Sequence, residues 1–135
     1  MIGATLVIAG GVGFAYSAAF GTPGHTASVL GILDVNGWHN VFHIVTGAIG
    51  LLCAGGYAAA RRYAIGLALV YAVLAIAGFA VGDHKTLLSI IPVNTEDNVL
   101  HALIAIAACV AGLATPSAPP PSTVAAEPGP GFRFD

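Results

Sequence analysis

Long apolar stretches, each close to the length of a membrane span, restrict the fold of this sequence more than any other feature. Lys and Arg together number 4 and Asp and Glu 6 among 135 residues, so charged residues make up only 7%. A water-soluble domain carries about 25% charged residues, because its surface must be solvated. The composition therefore predicts an integral membrane protein rather than a soluble enzyme. Four basic residues are also too few for a phosphate-binding surface, so nucleic acid is not an expected partner.

Four stretches are long enough to cross the hydrocarbon core of a bilayer as helices, which takes roughly 20 residues. They cover residues 2–20, 36–56, 63–82 and 98–115. Strands fit poorly, because the stretches are continuously apolar and do not alternate. A cleaved signal peptide is the alternative for the first stretch, but no Lys or Arg precedes it and three more stretches follow. We therefore expect a four-span transmembrane domain over residues 1–115.

Basic residues predict the orientation of these spans, because they favour the cytoplasmic side. Arg61 and Arg62 lie in the connection expected at residues 57–62, whereas the other two connections hold Lys85 among several acids. We therefore expect both termini in the cytoplasm and the loops 21–35 and 83–97 on the outer side.

The last stretch, residues 116–135, differs from the rest in being rich in Pro, Ala and Ser. Such a composition does not form a packed core, so we expect a disordered cytoplasmic tail. A polyproline docking ligand is the weaker alternative, since composition is its sole support.

An internal repeat organises the spans. The segment VNGWHNVFH from Val35 aligns with VNTEDNVLH from Val93, an offset of 58 residues, although Asn and His are rare elsewhere. Each repeat unit contains two spans, so the two units should share one orientation and be related by a pseudo-two-fold axis along the membrane normal. The predicted fold class is all-α: an integral membrane four-helix bundle made of two fused helical hairpins.

Candidate metal ligands occur within the repeat at a spacing of four residues, which places them on one helix face. His39 precedes His43 in the first unit, and Asp97 precedes His101 in the second. Small residues follow on the same faces, which favours close packing of the helices in lipid. Three imidazoles and one carboxylate would then converge, a set that suits zinc or another divalent transition metal.

A polar clasp that fixes helix register is the interpretation favoured over a metal site for the same residues. The supporting polar residues are Asn36, Asn40, Asn94 and Asn98. The first of each pair is a good helix N-cap, the second suits a bond across the helix interface, and Asp97 suits a first helical turn. A proton or solute path through these groups is a further alternative. Paired axial ligation of haem by His43 and His101 ranks lowest, because the facing residues leave little room for a macrocycle.

The repeated motifs resemble those of the DUF4383 family, small bacterial membrane proteins of unknown function. The resemblance rests on GVGF from Gly11, VNGWHNVFHIVTGAIGLL from Val35, ARR from Ala60 and IPVNTEDNVLH from Ile91. A family pattern similar to HNxxH and PxNxxDNxxH is matched by His39, Asn40, His43, Pro92, Asn94, Asp97, Asn98 and His101. The resemblance covers residues 6–114 and implies a four-span protein of the bacterial plasma membrane. It implies no activity.

The leading hypothesis is thus a structural or accessory membrane protein, not an enzyme, whose polar cluster fixes its helices, with a bound divalent metal as one way of doing so. A small transporter or proton-conducting subunit is the alternative, and a haem-binding electron carrier ranks third. The lipid bilayer is the expected partner. Small-residue pairs such as Ala9 with Gly13 also allow a homo-oligomer or a larger membrane complex, although packing within the monomer is the preferred use.

Overall fold

A computed structural model describes residues 1–21 and 26–119, which form four helices and two short β-hairpins. The helices are α1 (Ile2–Tyr16), α2 (Gly37–Cys53), α3 (Tyr57–Val81) and α4 (Thr95–Ala114). The strands are β1 (Ala27–Val29), β2 (Leu33–Val35), β3 (Lys85–Leu87) and β4 (Ile91–Val93). The order helix, strand, strand, helix therefore occurs twice along the chain. The predicted tail lies outside the described residues from residue 120 onward.

The four helices lie within or close to the four predicted stretches, but α3 begins earlier than expected. Residues 57–62, expected as a connection, are helical, so that Arg61 and Arg62 lie in the first two turns of α3. Ala and Arg have high helix propensity, which explains the longer helix. The connection from α2 is instead the short segment at residues 54–56, where Gly55 and Gly56 favour a break in the helix.

Both long connections, expected as loops, contain an antiparallel hairpin of two three-residue strands. Asp34 pairs with Ser28 in the first hairpin, and Pro92 pairs with Thr86 in the second. Strands of three residues are too short to give a period-two pattern, so the sequence did not reveal them. The two hairpins meet through β2 and β4, directly before the starts of α2 and α4.

Helix packing divides the molecule into two helical pairs. α1 packs along α2 and α3 packs along α4, while α2 and α3 lie beside each other at the centre. Glycines permit the close approach: a Cβ on Gly47 would lie 2.5 Å from the carbonyl oxygen of Gly3. The buried core between the pairs includes Leu6, Leu67 and Tyr71. The predicted small-residue faces of α2 and α4 are therefore contact faces.

The outward faces of the helices carry large apolar side chains. Leu52, Leu69 and Leu113 are 85%, 65% and 66% exposed. α3 and α4 are long and apolar enough to cross a membrane, and only 33% of the most apolar 18-residue segment of each helix is buried inside the protein. α1 is apolar but shorter, at 15 residues. Exposed apolar surface on this scale is typical of contact with lipid or a partner.

Two glycines make room for the buried asparagines of the repeat. A Cβ added at Gly13 of α1 would overlap the side-chain amide of Asn40, and one at Gly78 of α3 would overlap that of Asn98. Asn40 also donates from Nδ2 to the carbonyl oxygen of Ser17 at 2.8 Å. Each asparagine of the repeat thus packs against a glycine of the neighbouring helix.

The substitution Gly13→Ala should destabilise the protein by about 1–3 kcal/mol, the usual cost of overpacking, because the Asn40 amide must move and lose its bond to Ser17. Gly11→Ala is the matched control on the same helix, since nothing lies within 4 Å of the added Cβ. This control should be neutral or stabilising by up to about 1 kcal/mol. Unfolding of the purified protein in mixed detergent micelles measures both. Equal stabilities of the two variants would contradict the packing of Asn40 on Gly13.

Candidate metal centre

Three of the predicted site residues meet where the helices join the β-hairpins. His39 and His43 lie one turn apart on α2, and His101 faces them from α4. One ligand nitrogen of each imidazole lies within 4.8 Å of the other two. The residues are only 3%, 7% and 2% exposed, in that order. The predicted convergence of the three histidines is therefore present in the structure.

A chain of hydrogen bonds fixes two of the three rings. His39 Nδ1 lies 2.9 Å from the carbonyl oxygen of Asp34, which only accepts, so this nitrogen carries a proton. In neutral His39, Nε2 is then an acceptor, and His43 Nε2 donates to it at 2.9 Å. His43 Nδ1 is left to accept from the hydroxyl of Tyr71 at 3.1 Å. All these groups are paired without any charge.

His101 is not part of this chain. Its Nδ1 atom is buried and has no hydrogen-bond partner among the described residues. A buried polar atom without a partner costs about 1–3 kcal/mol. Its ring centroid lies 5.7 Å from that of His39 and 5.9 Å from that of His43. A polar clasp explains the pairing of His39 and His43 but leaves this third imidazole without a role.

Asp97, the predicted fourth ligand, is not in the group of close ligand atoms. Its Oδ2 instead accepts the backbone N–H of Asp34 at 2.8 Å, and its own N–H donates to Asn94 at 2.8 Å. Two elements are thereby joined, because Asp34 belongs to β2 and Asp97 to the first turn of α4. Its carboxylate nevertheless borders the cavity that His39 and His43 line.

The predicted helix caps are confirmed, and they do more than begin the helices. Asn36 accepts the N–H of His39 at 2.9 Å and donates from Nδ2 to the carbonyl oxygen of Ile90 at 2.6 Å. Asn94 accepts the N–H of Asp97 and donates from Nδ2 to the carbonyl oxygen of Ile32 at 2.6 Å. Each cap therefore reaches the β-hairpin turn of the other half and joins the two halves reciprocally.

Among the positions at which the two repeats differ, the pair His39 and Asp97 is explained by the residues that each one contacts. Asp97 aligns with His39, and Pro92 of β4 aligns with Asp34 of β2. The N–H that Asp34 donates to Asp97 has no equivalent in Pro92, because proline lacks this hydrogen. An aspartate at position 39 would therefore find no backbone N–H donor at Pro92. A histidine fits here instead, since its ring donates to the Asp34 carbonyl oxygen.

Sequence reasoning missed two members of the site. Tyr71 is fully buried in α3, and its hydroxyl lies 3.1 Å from His43 Nδ1 and 3.3 Å from Thr46 Oγ1. Asp34 contributes through its backbone N–H and carbonyl groups. A tyrosine hydroxyl in the middle of an apolar stretch was the available signal for Tyr71, because such a group needs a partner when buried.

Comparison with known families agrees with the resemblance in the motifs. Residues 1–114 match the family model described as "Domain of unknown function (DUF4383)". The chain belongs to this family. No curated protein and no solved structure matches it. Every candidate site residue of this DUF4383 protein lies within the matched region, and the family description assigns no activity.

A surface histidine provides a pH-dependent contact next to the centre. His84 Nδ1 lies 2.9 Å from Asp34 Oδ2, and its Nε2 lies 3.7 Å from Asp83 Oδ2. The hydrogen bond to Asp34, followed by the charges of Asp83 and Asp34, raises the pKa of His84. Protonated His84 therefore stabilises the fold fully below about pH 6.5, the ordinary value, and this contribution is lost as pH rises through the raised pKa.

We expect His84→Gln to be less stable than the wild type near pH 6 and to approach it above the raised pKa, because only the protonated ring carries the positive charge that attracts Asp34 and Asp83. Thermal unfolding in detergent at several pH values, with wild type and variant side by side, measures this difference. A gap between the two proteins that stays constant with pH would contradict the pairing.

Proposed function

We propose that this chain is a multi-pass protein of the bacterial plasma membrane in which His39, His43 and His101 bind one divalent transition metal near the outer face. The metal ties α2 to α4 and so connects the two halves, which makes the role structural or accessory. The observation that carries the proposal is the group of three buried imidazoles with one nitrogen unpaired. Imidazole nitrogen suits zinc, copper, nickel and iron, and zinc is the first candidate.

Hydrogen bonds around the rings support metal binding. Histidine ligands usually donate their other ring N–H to a carbonyl or similar acceptor, which orients the ring and fixes the tautomer. His39 already has this arrangement with the Asp34 carbonyl oxygen. His43 gains it when its proton moves to Nδ1, because the Tyr71 hydroxyl then accepts and donates in turn to Thr46. Tyr71 therefore suits both the metal-free and the metal-bound tautomer.

Metal binding requires the rings to turn. The two Nε2 atoms of His39 and His43 lie 2.9 Å apart and share one proton. Two nitrogens on one tetrahedral zinc lie about 3.3 Å apart, given Zn–N distances of about 2.0–2.1 Å. The two rings must therefore rotate so that both Nε2 atoms face one point, and His101, with its ligand atom within 4.8 Å of the others, must approach to supply the third nitrogen. Three protein ligands leave a fourth position for water or another oxygen ligand.

The positions of charge and apolar surface support the proposed membrane placement. Arg61 and Arg62 lie at the end of the helices opposite the β-hairpins, and Arg61 donates to the carbonyl oxygen of Thr115 at 2.9 Å. Basic residues favour the cytoplasmic side, so both termini belong there and the histidines lie toward the outer side. The repeated element order and the exchange between Asn36 and Asn94 support a pseudo-two-fold axis along the membrane normal.

The alternatives are weaker for specific reasons. A proton relay needs groups that both accept and donate, whereas the chain from Tyr71 ends at the backbone carbonyl of Asp34, which only accepts. Haem between His43 and His101 needs space for a wide, flat macrocycle. The ring of His39, with its centroid 4.8 Å from that of His43, occupies part of this space.

Purified wild-type protein should bind one equivalent of Zn²⁺ or Co²⁺, while His43→Ala and His101→Ala should lose stoichiometric binding because only two ligands remain. Tyr71→Phe should weaken the affinity by about 10–100-fold, the usual effect of removing a group that orients a metal ligand. His84→Ala is the matched control, since this exposed histidine lies outside the cluster. Elemental analysis and titration in detergent measure all four variants.

A wild-type protein without stoichiometric metal would overturn the metal centre and leave the polar clasp. His43→Ala should then still reduce stability in metal-free buffer by about 0.6–2 kcal/mol, the range for polar contacts between membrane helices. The same measurement therefore separates the two roles of the cluster.

A further inference from the structure

A cavity of about 430 Å³ opens between α1 and α4 and reaches the histidine cluster. α1 lines it from Ile2 to Val12 with side chains that are apolar apart from Thr5, and α4 lines it from Leu100 to Ala107. The polar residues at its other end are His39, Asn40, His43 and Asp97. Ligand sites typically have this size and this mixture of apolar walls with a few convergent polar groups.

The cavity exists because the two halves are not packed equally on both sides. α2 and α3 lie side by side and are joined by the short connection at residues 54–56. α1 and α4 occupy the corresponding positions on the opposite side, yet they scarcely touch. A symmetric bundle would close this side as well, so the gap is a departure from the repeat that leaves the histidine cluster reachable.

The dimensions of the cavity fit one extended hydrocarbon chain. Its α1 wall runs from Ile2 to Val12, which corresponds to about 15 Å at the helical rise. This length equals about half of a hydrocarbon core that is about 30 Å thick, the depth of one leaflet. A single acyl or isoprenoid chain of a membrane lipid therefore matches the wall in both length and polarity.

Charges at the polar part of the cavity select the head group. No Lys or Arg lines the cavity, and Asp97 contributes a carboxyl group beside the imidazoles. An anionic head would find no cation here. A neutral hydroxyl can donate a hydrogen bond to the carboxyl group of Asp97, whereas the nitrogens of His39 and His43 are already paired.

We propose that this cavity binds the single apolar chain of a neutral membrane amphiphile and places its hydroxyl group against Asp97, beside His39 and His43. The inference rests on the proposed membrane location but not on the proposed metal. When a metal is bound, the same oxygen is available as its fourth ligand.

The test uses the full-length protein in lipid nanodiscs, with monoolein that carries a photoreactive diazirine on its acyl chain. After irradiation, peptide mapping should find the label on α1 and α4 at the walls of the cavity. Oleate with the same diazirine should label these helices roughly tenfold less, because its carboxylate lacks a cation. Monoolein with a diazirine near the glycerol should label the α2 segment that contains His39 and His43.

Ala107→Phe and Ala9→Phe fill the cavity from opposite walls and should each reduce the labelling of α1 and α4 roughly tenfold. Two variants are used so that the test still holds if one of them fails to fold. Ala80→Phe is the matched control, because Ala80 is exposed on α3 and does not line this cavity. Labelling that is spread equally over α3, or is unchanged in both cavity variants, would overturn the proposal. Equal labelling by oleate and monoolein would overturn the preference for a neutral head group.

Metal content, measured on the same samples with and without chelator, separates this proposal from the metal centre. Cavity labelling in a protein that binds no metal supports the amphiphile site and contradicts the metal centre alone. Metal binding without cavity labelling supports the metal centre and contradicts the amphiphile site alone. Failure of the protein to enter nanodiscs would contradict the membrane location and with it both proposals.

Discussion

The exchange of hydrogen bonds between Asn36 and Asn94 is the interaction on which the rest of the structure depends. Each side chain begins its own helix through its oxygen and donates through Nδ2 to the hairpin turn of the other half, at 2.6 Å in both cases. Buried polar groups need partners within the protein, because water does not reach them. The caps therefore fix the starts of α2 and α4 relative to each other, and with them the histidines on the first two turns of these helices.

A difference between the two repeats explains why the hydrogen-bonded cluster is also a candidate metal centre. The N–H of Asp34 donates to Asp97. Pro92, which aligns with Asp34, has no N–H, and the residue that aligns with Asp97 is His39. The pair of repeats thus brings together three imidazoles and moves the one carboxylate to the edge of the group. The same loss of symmetry appears between α1 and α4, where the cavity reaches His39 and His43.

Local patterns in the sequence were sufficient for the helices, the asparagine caps and the faces that carry the histidines, because each depends on residues close together in the chain. The contacts of Asp97 and Tyr71 were not predictable in this way. Asp97 pairs with a backbone group 63 residues away, and Tyr71 lies 28 residues from His43. The two hairpins were missed because three-residue strands carry too little alternation, and the membrane assignment of all four helices remains a prediction.

X-ray absorption at the zinc edge of the loaded protein in lipid tests the central claim most directly, because it reports the atoms bound to the metal. We expect three imidazole nitrogens at about 2.0–2.1 Å and one oxygen ligand, with tetrahedral geometry. His101→Ala, which leaves only two of the three imidazoles, should lose stoichiometric zinc and with it this spectrum. A spectrum of zinc surrounded only by oxygen, or one unchanged in His101→Ala, would contradict a metal centre formed by His39, His43 and His101.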